Sequence, residues 1–139
     1  MLGQLPGLGR GPTPPCRGKS TLACALNRGL HSMGKLTYIL DGDNVRHGVN
    51  CDLGFKPEDR AENIRRMGEV ARLFADAGVI CIASLISPYK KDRDACRALL
   101  PEGEFIEIVL QLKREVCASP REMAETVIDY LKEKGYLNA

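Results

Sequence analysis

Two short segments of the chain carry residue types whose spacing suits chemistry: one suits the binding of phosphates, the other the binding of a metal ion or the acceptance of a proton. The first is residues 18–21, Gly-Lys-Ser-Thr, which open an apolar pattern of helical spacing. They match the second half of the phosphate-binding loop G-x-x-x-x-G-K-[ST], in which backbone N–H groups surround the phosphates, a lysine contacts them and a hydroxyl binds Mg²⁺. Lys19 and Ser20 have the residue types for the last two roles. The alternative is an ordinary basic helix start, since such triplets also occur by chance.

The first half of that loop departs from the pattern. Thr13 stands where the motif has glycine, and Pro14 and Pro15 occupy the next two positions. Proline has no N–H group, so two of the four loop amides cannot donate to a phosphate. Such a loop normally follows a buried strand, whereas residues 1–12 contain no apolar run of strand length. We therefore predict an irregular Gly/Pro-rich segment over residues 1–17 and a folded domain over residues 18–139.

The second segment is residues 41–44, Asp-Gly-Asp-Asn, which directly follow the apolar run of residues 36–40. Two carboxylates, Asp41 and Asp43, at the carboxyl end of a strand can hold a metal ion or accept the proton of a hydroxyl. The alternative is a plain polar turn, because Asp, Gly and Asn are typical turn residues.

Several arginines follow this segment. Arg60 and Asn63 lie three residues apart on a predicted helix and therefore share one face. Guanidinium groups bind phosphate and sulfate through paired hydrogen bonds, so Arg60 and Arg46 are candidate ligands for an anion. For Arg65 and Arg66 we favour a solvated helix face with acidic partners, the candidates being Glu58, Asp59, Glu62 and Glu69.

Three other side chains could carry chemistry. Phe55 stands in polar surroundings and could stack on a base, although an isolated phenylalanine also fits a core position or a hydrophobic staple. Ser87 precedes a proline, has no neighbouring histidine to activate it and lacks the G-x-S-x-G context of a hydrolase. His47 is interpreted as a surface residue.

The elements that must position these residues alternate along the chain. Helices are predicted from residue 19 to a stop at Gly34, over residues 57–77 and 91–100, and over a last helix that begins at Pro120; strands are predicted over residues 36–40, 79–84 and 105–110. This alternation indicates a parallel sheet covered by helices on both faces, a three-layer α/β/α fold. Such sheets bind ligands at the carboxyl ends of their strands, so residues 41–44 and 84–88 should lie at one edge.

The last helix has the clearest boundaries. Ser119 and Glu122 have the spacing of a capping box, and Gly135 is a typical helix terminator. Its periodicity predicts four inward side chains, Met123, Val127, Tyr130 and Leu131.

Composition excludes several classes of protein. With 139 residues, 44% hydrophobic and 27% charged, the chain is an ordinary globular domain. A net charge of +2 does not indicate a nucleic-acid binder, and no apolar stretch approaches the length of a membrane span. The six cysteines are scattered without a C-x-x-C pair, which argues against a zinc site and predicts reduced thiols, several of them in the core.

Taken in order, the segments closely resemble the adenylylsulfate kinase family, especially its plant members. The resemblance extends from about Gly18 to Ile108 and resumes at the last helix. The segments that carry it are residues 40–48 (Leu-Asp-Gly-Asp-Asn-Val-Arg-His-Gly), 53–55 (Leu-Gly-Phe), 59–66 (Asp-Arg-Ala-Glu-Asn-Ile-Arg-Arg), 73–78 (Leu-Phe-Ala-Asp-Ala-Gly) and 84–89 (Ser-Leu-Ile-Ser-Pro-Tyr).

The resemblance implies a P-loop kinase fold and Mg²⁺-dependent transfer of the γ-phosphoryl group of ATP to the 3′-hydroxyl of adenosine 5′-phosphosulfate. By position, it assigns ATP phosphate binding to Gly18, Lys19, Ser20 and Thr21, and Mg²⁺ to Ser20 and Asp41. Asp43 is the candidate base, with Lys19 and Ser87 as further catalytic candidates. Ser87 matches a serine described in some members as a phosphoserine intermediate, which direct in-line transfer does not need. The sulfonucleotide is assigned to Asp43, Asn44, Arg46, Phe55, Arg60, Asn63, Ile86 and Ser87.

The chain departs from the family pattern in two places. One is the altered first half of the phosphate loop. The other is a lid that follows the strand matching residues 105–108 in the family; here residues 105–110 pass through residues 111–118 to the last helix, so several tens of residues are missing. Two functions stay open: adenylylsulfate kinase, or an impaired family member that keeps the sulfonucleotide pocket or a homodimer surface. A small P-loop kinase with another acceptor fits the segments less well. The expected compartment is the cytoplasm or a plastid, and no transit-peptide pattern is visible.

Overall fold

The structure is a computed structural model, and it describes residues 2–3, 17–87, 89–109 and 119–137. Strands and helices alternate in the order β1 (Leu2–Gly3), α1 (Arg17–Ser32), β2 (Thr37–Asp41), α2 (Gly42–Arg46), α3 (Pro57–Asp76), β3 (Ile80–Ser84), α4 (Lys90–Ala98), β4 (Ile108–Val109) and α5 (Pro120–Glu133). The helices α1 and α5 cover one face of the sheet and α3 and α4 the other, which confirms the three-layer α/β/α fold.

The sheet is parallel throughout, with the strand order β2-β3-β1-β4. Its longest pairing joins β2 to β3, from Thr37 opposite Ile80 to Asp41 opposite Ser84. The apolar, β-branched composition of β2 and β3 suits strands that are covered on both faces.

The prediction of irregular structure over residues 1–17 was wrong at Leu2–Gly3, which forms β1, with Leu2 paired to both Ser84 and Ile108; residues 4–16 lie outside the described structure. The strand predicted over residues 105–110 is present but shorter, at Ile108–Val109 within the described part of the chain. In both places pairing with neighbouring strands sets the limits, and an apolar run in the sequence does not report that pairing.

Each face of the sheet has its own hydrophobic core. The α1–α5 cluster consists of Leu22, Ala23, Leu26, Leu30, Ile82, Ala124, Ile128, Leu131 and Leu137. The α3–α4 cluster consists of Leu40, Val45, Ile64, Met67, Ala83, Leu85 and Cys96. Two glycines allow close helix contacts, because a Cβ atom at Gly29 would collide with Ile128, and one at Gly68 would lie 2.7 Å from the sulfur of Cys96. These contacts fix both helical layers against the sheet.

The last helix begins as its sequence predicts. The Ser119 hydroxyl accepts the backbone N–H of Glu122, and the Glu122 carboxylate accepts the backbone N–H of Ser119. Gly135 follows the helix with φ of 80°, a conformation that favours glycine. Leu131 is buried, and Met123 and Val127 pack against the same core, as predicted. The prediction for Tyr130 was wrong, because it is 46% exposed, and Ala124 and Ile128 are buried in addition. A tyrosine can meet the apolar spacing with its ring directed toward water.

Candidate functional site

The segments predicted to bind ligands, residues 18–21, 41–44 and, within the described part of the chain, 84–87, lie at the carboxyl edge of the sheet. Asp41 and Ser84, the last residues of β2 and β3, lie opposite each other in register. Residues 18–21 form the start of α1, and only residues 33–36 join the end of α1 to the start of β2. The end of α1 therefore lies at the amino edge of the sheet, and its first turn points toward the carboxyl edge. A helix start at this edge suits the binding of an anion.

Asp41 and Asn44 hold each other in a reciprocal cap. The Asp41 carboxylate accepts the Asn44 backbone N–H at 2.8 Å, and the Asn44 side-chain oxygen accepts the Asp41 N–H at 3.1 Å. The Asn44 amide also donates to the carbonyl of Ile39 at 3.0 Å. Residues 41–44 are thus not a simple turn, as one alternative held: Asp41 ends β2 and caps the short helix α2. Both polar atoms of the Asn44 side chain are therefore hydrogen-bonded to the backbone.

Arg46, Phe55 and Arg60 form a cluster at the surface beside this cap, in which the ring is exposed and the two arginines are half-buried. The ring of Phe55 is 70% exposed, and the guanidinium carbons of Arg46 and Arg60 lie 4.3 Å and 5.9 Å from its centroid. Arg46 donates to the Gly54 carbonyl at 3.0 Å, and Arg60 Nε donates to the Phe55 carbonyl at 3.0 Å. The ring and both cations are thereby held together, an arrangement that can stack on a base and bind an oxyanion.

Gly54 is held by a residue outside the predicted site. Its backbone N–H donates to the Asp59 carboxylate at 3.2 Å, and a Cβ atom at Gly54 would lie 2.9 Å from that oxygen. Asp59 was predicted only as a partner for arginines on its own helix. Its position two residues after Pro57, in the first turn of α3, is the sequence signal that could have suggested a backbone contact.

Asn63 is buried rather than open to a ligand. It is 6% exposed, and its side-chain oxygen accepts the amide of Asn50 at 2.7 Å. Asn50 is fully buried, so the pair joins α3 to the segment that follows α2. Asn63 and Arg60 share a face of α3, as predicted, but only Arg60 reaches Phe55.

Arg66 also connects α3 to the segment that follows α2, on the solvent side of that segment. Its guanidinium donates to both carboxylate oxygens of Asp52, at 2.7 and 3.1 Å, and to Glu62 at 2.9 Å. Arg65 makes two further hydrogen bonds to Glu62, at 2.7 Å each. This outcome confirms the interpretation of Arg65 and Arg66 as ion-paired surface residues. Hydrogen bonds from Arg65 and then Arg66 lower the pKa of Glu62 to about 2, and the Arg66 contact lowers the pKa of Asp52.

We expect acid to loosen residues 49–52 from α3 before the helices unfold. Because the pKa of Glu62 in the folded chain is about 2, below its ordinary value of 4.5, the ionised carboxylate stabilises the fold above that value. The contribution is lost as the pH falls from about 4.5 toward 2. Amide chemical shifts of residues 49–52, followed through a pH titration, measure this change.

The control for the acid titration is Arg66→Gln, which removes the cation common to Asp52 and Glu62. In that variant the same amide shifts should already be displaced at pH 7 and move less as the pH falls. Identical titrations in the two proteins would show that the ion pairs do not hold the segment.

Ser87 and Ser84 lie buried at the carboxyl end of β3. Both are less than 5% exposed, and neither hydroxyl has a hydrogen-bond partner among the described residues. The Ser87 carbonyl accepts Arg93 Nη1 at 2.8 Å, and Arg93 Nε donates to Glu107 at 2.5 Å. Ile86, the other residue predicted here, is 48% exposed. Unpaired buried hydroxyls are uncommon, and these two lie at the edge where the fold places a ligand.

The oxygen groups at this edge fit Mg²⁺. Ser20 is exposed at the start of α1, Asp41 offers a carboxylate, and such hard oxygen ligands suit this ion. No group of three or more acidic, histidine or cysteine side chains that could hold a metal occurs in the described ranges. Gly18 lies in the first turn of α1, the side chains of Lys19 and Asp43 and all of residues 13–16 lie outside the described structure, and Thr21 is exposed.

The cysteines of the described segments differ in how deeply they are buried. Cys24 and Cys51 are exposed, whereas Cys96 is buried in the α3–α4 cluster. Burial raises the pKa of the Cys81 and Cys96 thiols to about 11. The prediction of core cysteines is therefore confirmed for Cys96. None of the helices in the described part of the chain has the length and apolar character needed to cross a bilayer.

Fold and site together define a three-layer α/β/α protein with anion- and base-binding groups at the carboxyl edge of a parallel sheet, the class of the nucleotide-binding kinases. A sequence profile described as adenylylsulphate kinase matches residues 13–125. The chain belongs to this family, which confirms the resemblance noted in the sequence.

The chain is similar to two plant enzymes. Adenylyl-sulfate kinase, chloroplastic, from Catharanthus roseus is 56% identical over 166 residues, covering 88% of this chain and 53% of the relative. Adenylyl-sulfate kinase 1, chloroplastic, from Arabidopsis thaliana is 54% identical over 164 residues, covering 88% of this chain and 59% of the relative. The chain thus spans little more than half the length of these relatives. Because the alignments run over more residues than the chain possesses, the relatives contain several tens of residues that this chain lacks.

The solved structures to which the chain is similar include members of the same family. The chain is similar to the Mycobacterium tuberculosis APS kinase CysC in complex with AMPPNP and APS, with 27% identity, a TM-score of 0.71, and coverage of 94% of this chain and 96% of that one. It is also similar to the hexameric APS kinase from Thiobacillus denitrificans, with 30% identity, a TM-score of 0.75, and coverage of 99% of this chain and 29% of that one.

Proposed function

We propose that this chain transfers the γ-phosphoryl group of ATP to the 3′-hydroxyl of adenosine 5′-phosphosulfate, the reaction its family is named for. The observation that supports this most directly is the Arg46–Phe55–Arg60 cluster at the carboxyl edge of the sheet. An exposed ring flanked by two guanidinium groups suits a substrate that combines a purine base with a phosphosulfate group.

The two substrates would meet at the carboxyl edge. The start of α1, with Lys19, would bind the ATP phosphates, and Phe55 would stack on the adenine of the acceptor. Arg46 and Arg60 would contact its phosphosulfate oxygens. Ser20 and Asp41 would hold Mg²⁺, which when bound neutralises charge on the transferred phosphate. The domain that does this is residues 18–139.

The transfer itself is an in-line displacement. The acceptor 3′-oxygen forms a bond to the γ-phosphorus while the bond from that phosphorus to the β,γ-bridging oxygen breaks, and ADP leaves. The proton of the 3′-hydroxyl passes to the Asp43 carboxylate. The Ser87 hydroxyl is buried and has no hydrogen-bond partner among the described residues, which leaves it free to donate to substrate. Direct in-line transfer does not need it as a phosphorylated intermediate.

A product assay tests the proposal. Purified chain incubated with ATP, Mg²⁺ and adenosine 5′-phosphosulfate should form 3′-phosphoadenosine 5′-phosphosulfate, identified by mass spectrometry. Formation should require all three reagents. If binding of adenosine 5′-phosphosulfate is measurable but no product forms over a long incubation, the chain is a binding member of the family and the proposed activity is wrong.

Arg60→Ala should weaken the binding of adenosine 5′-phosphosulfate by roughly 1.5–3 kcal/mol, because it removes a hydrogen bond to a charged group. Arg60 is half-buried against Phe55, so part of this loss comes from a less ordered ring. Calorimetry with the sulfonucleotide measures the difference.

Arg72→Ala is the matched control for Arg60→Ala. Arg72 lies farther along α3, its side chain is 46% exposed, and its partner is Glu69 at 3.7 Å. It should change the affinity little. Equal effects of the two substitutions would mean that Arg60 is only a surface charge and that the proposed pocket is misplaced.

A further inference from the structure

Arg93 of α4 is a buried cation that the proposed reaction does not use. It is 9% exposed, and its guanidinium has two partners on different segments of the chain. Its Nε donates to the Glu107 carboxylate at 2.5 Å, and its Nη1 donates to the Ser87 carbonyl at 2.8 Å. Arg97, one turn farther along α4, donates to the other oxygen of the same carboxylate at 2.7 Å. Arg93 therefore connects the residue before β4 with the segment that follows β3.

The contacts of Arg93 do more than pack α4 against the sheet. Removing an ion pair from water costs free energy, and an apolar side chain of similar size would pack the helix at least as well. A guanidinium adds a rigid fork of donors, which can hold a carboxylate and a carbonyl oxygen in fixed directions at the same time. The hydrogen bond from Arg93 to the Ser87 carbonyl therefore indicates a role in fixing the segment that contains Ser87.

Ser87 lies in the short connection from the end of β3 to the start of α4, at the carboxyl edge of the sheet. Because it precedes a proline, its backbone is confined to extended conformations. Arg93 holds its carbonyl, whereas its hydroxyl is buried and has no hydrogen-bond partner among the described residues. A backbone fixed in this way sets the direction of the Cα–Cβ bond, and so the direction in which the hydroxyl is presented.

We propose that Arg93 is a positioning residue for the acceptor substrate: held by Glu107, it fixes the Ser87 carbonyl and so directs the Ser87 hydroxyl toward the sulfonucleotide. This role rests on the proposed function, in which that hydroxyl donates to substrate. Arg93 acts through Ser87 and does not touch the substrate itself. Its effect should appear in the affinity for the acceptor and not in the affinity for ATP, whose phosphates are assigned to the start of α1.

A double-mutant cycle with adenosine 5′-phosphosulfate tests this role on the whole chain. Arg93→Lys keeps a positive charge beside Glu107 but lacks the fork that also reaches the Ser87 carbonyl. It should raise the dissociation constant, measured by calorimetry, about threefold to tenfold, the value of one neutral hydrogen bond. Ser87→Ala should have a similar effect. The double variant should bind no more weakly than Ser87→Ala alone, because Arg93 acts only through that hydroxyl.

Two controls separate positioning from a general loosening of the fold. The affinity for a non-hydrolysable ATP analogue should be the same in the parent chain and all three variants. Arg97→Lys is the matched control on the same helix, because Arg97 contacts the same Glu107 but is half-exposed and lies over Phe105; it should leave both affinities unchanged. If near-ultraviolet circular dichroism shows that Arg93→Lys does not fold, Glu107→Gln replaces it in the cycle, since it removes the charge that holds Arg93.

The role of Arg93 is overturned if Ser87→Ala weakens acceptor binding and the Arg93 variant, or its replacement, does not. It is also overturned if the two losses add in the double variant, or if the affinity for the ATP analogue falls in parallel. Failure of the proposed function gives a different result, in which the parent chain does not bind the sulfonucleotide or Ser87→Ala leaves its affinity unchanged. In that case the role of Arg93 is wrong as well.

Discussion

Turnover of adenosine 5′-phosphosulfate at saturating ATP is expected to fall well below about 1 s⁻¹, the lower end of the usual kinase range. The reason is the short connection between β4 and α5, residues 110–118, where the family has a lid. In a chain that lacks the several tens of residues of the family's lid, water is expected to stay in the site and the transferred phosphoryl group to lose cationic partners. Initial rates of 3′-phosphoadenosine 5′-phosphosulfate formation with γ-labelled ATP give the turnover directly.

The fate of the labelled phosphate provides the control. Where water is not excluded, part of the γ-phosphoryl group should appear as inorganic phosphate, in an amount comparable to the nucleotide product. Arg72→Ala should give the same rate and the same partition. A turnover of about 1–100 s⁻¹ without appreciable hydrolysis would show that a lid is not needed for this reaction.

ATP should bind tenfold to a hundredfold more weakly than to an intact phosphate loop. Pro14 and Pro15 cannot donate backbone hydrogen bonds, and Thr13 replaces the first glycine of the motif. A hydrogen bond to a charged group contributes roughly 1.5–3 kcal/mol, so even one lost donor reaches this range. Calorimetry with a non-hydrolysable ATP analogue measures the affinity, and a micromolar dissociation constant contradicts the expectation.

Restoring the backbone N–H groups at positions 14 and 15 tests whether their absence weakens ATP binding. The double variant Pro14→Ala/Pro15→Ala regains two N–H groups and should bind the analogue more tightly than the parent chain. Pro12→Ala, which lies outside the motif, also frees a proline-restricted backbone position and should leave the affinity unchanged. If both variants tighten binding equally, chain flexibility rather than hydrogen bonding limits ATP affinity.

The sequence specified the helices better than the strands. The long helix predicted over residues 57–77 is observed over Pro57–Asp76, because an N-terminal proline and an apolar stripe act locally. The two-residue strand β1 was missed, since it exists only through pairing with Ser84 and Ile108. Sheet pairing depends on partners far along the chain, and no local pattern reports it.

In the candidate site, too, features set by local sequence were predictable and features set by distant partners were not. The edge formed by Asp41 and Ser84 follows from strand alternation, and the structure brings Arg46, Phe55 and Arg60 together beside it. The buried Asn50–Asn63 pair could not be predicted, because residues 47–56 have no periodicity and their partners are set by how the segment folds over α3. Asn63 was a candidate ligand because it shares a helix face with Arg60 and because the family resemblance assigns it to the sulfonucleotide.

The close approach of Gly29 to Ile128 joins helices that are widely separated along the chain. Contacts of long sequence separation require the intervening chain to be brought together first, at an entropic cost that grows with loop length. The α3–α4 cluster, in contrast, is made within residues 40–105. The two sides of one sheet therefore differ in contact order: the α3–α4 side can assemble from neighbouring segments, whereas the α1–α5 side closes only when both ends of the domain are in place.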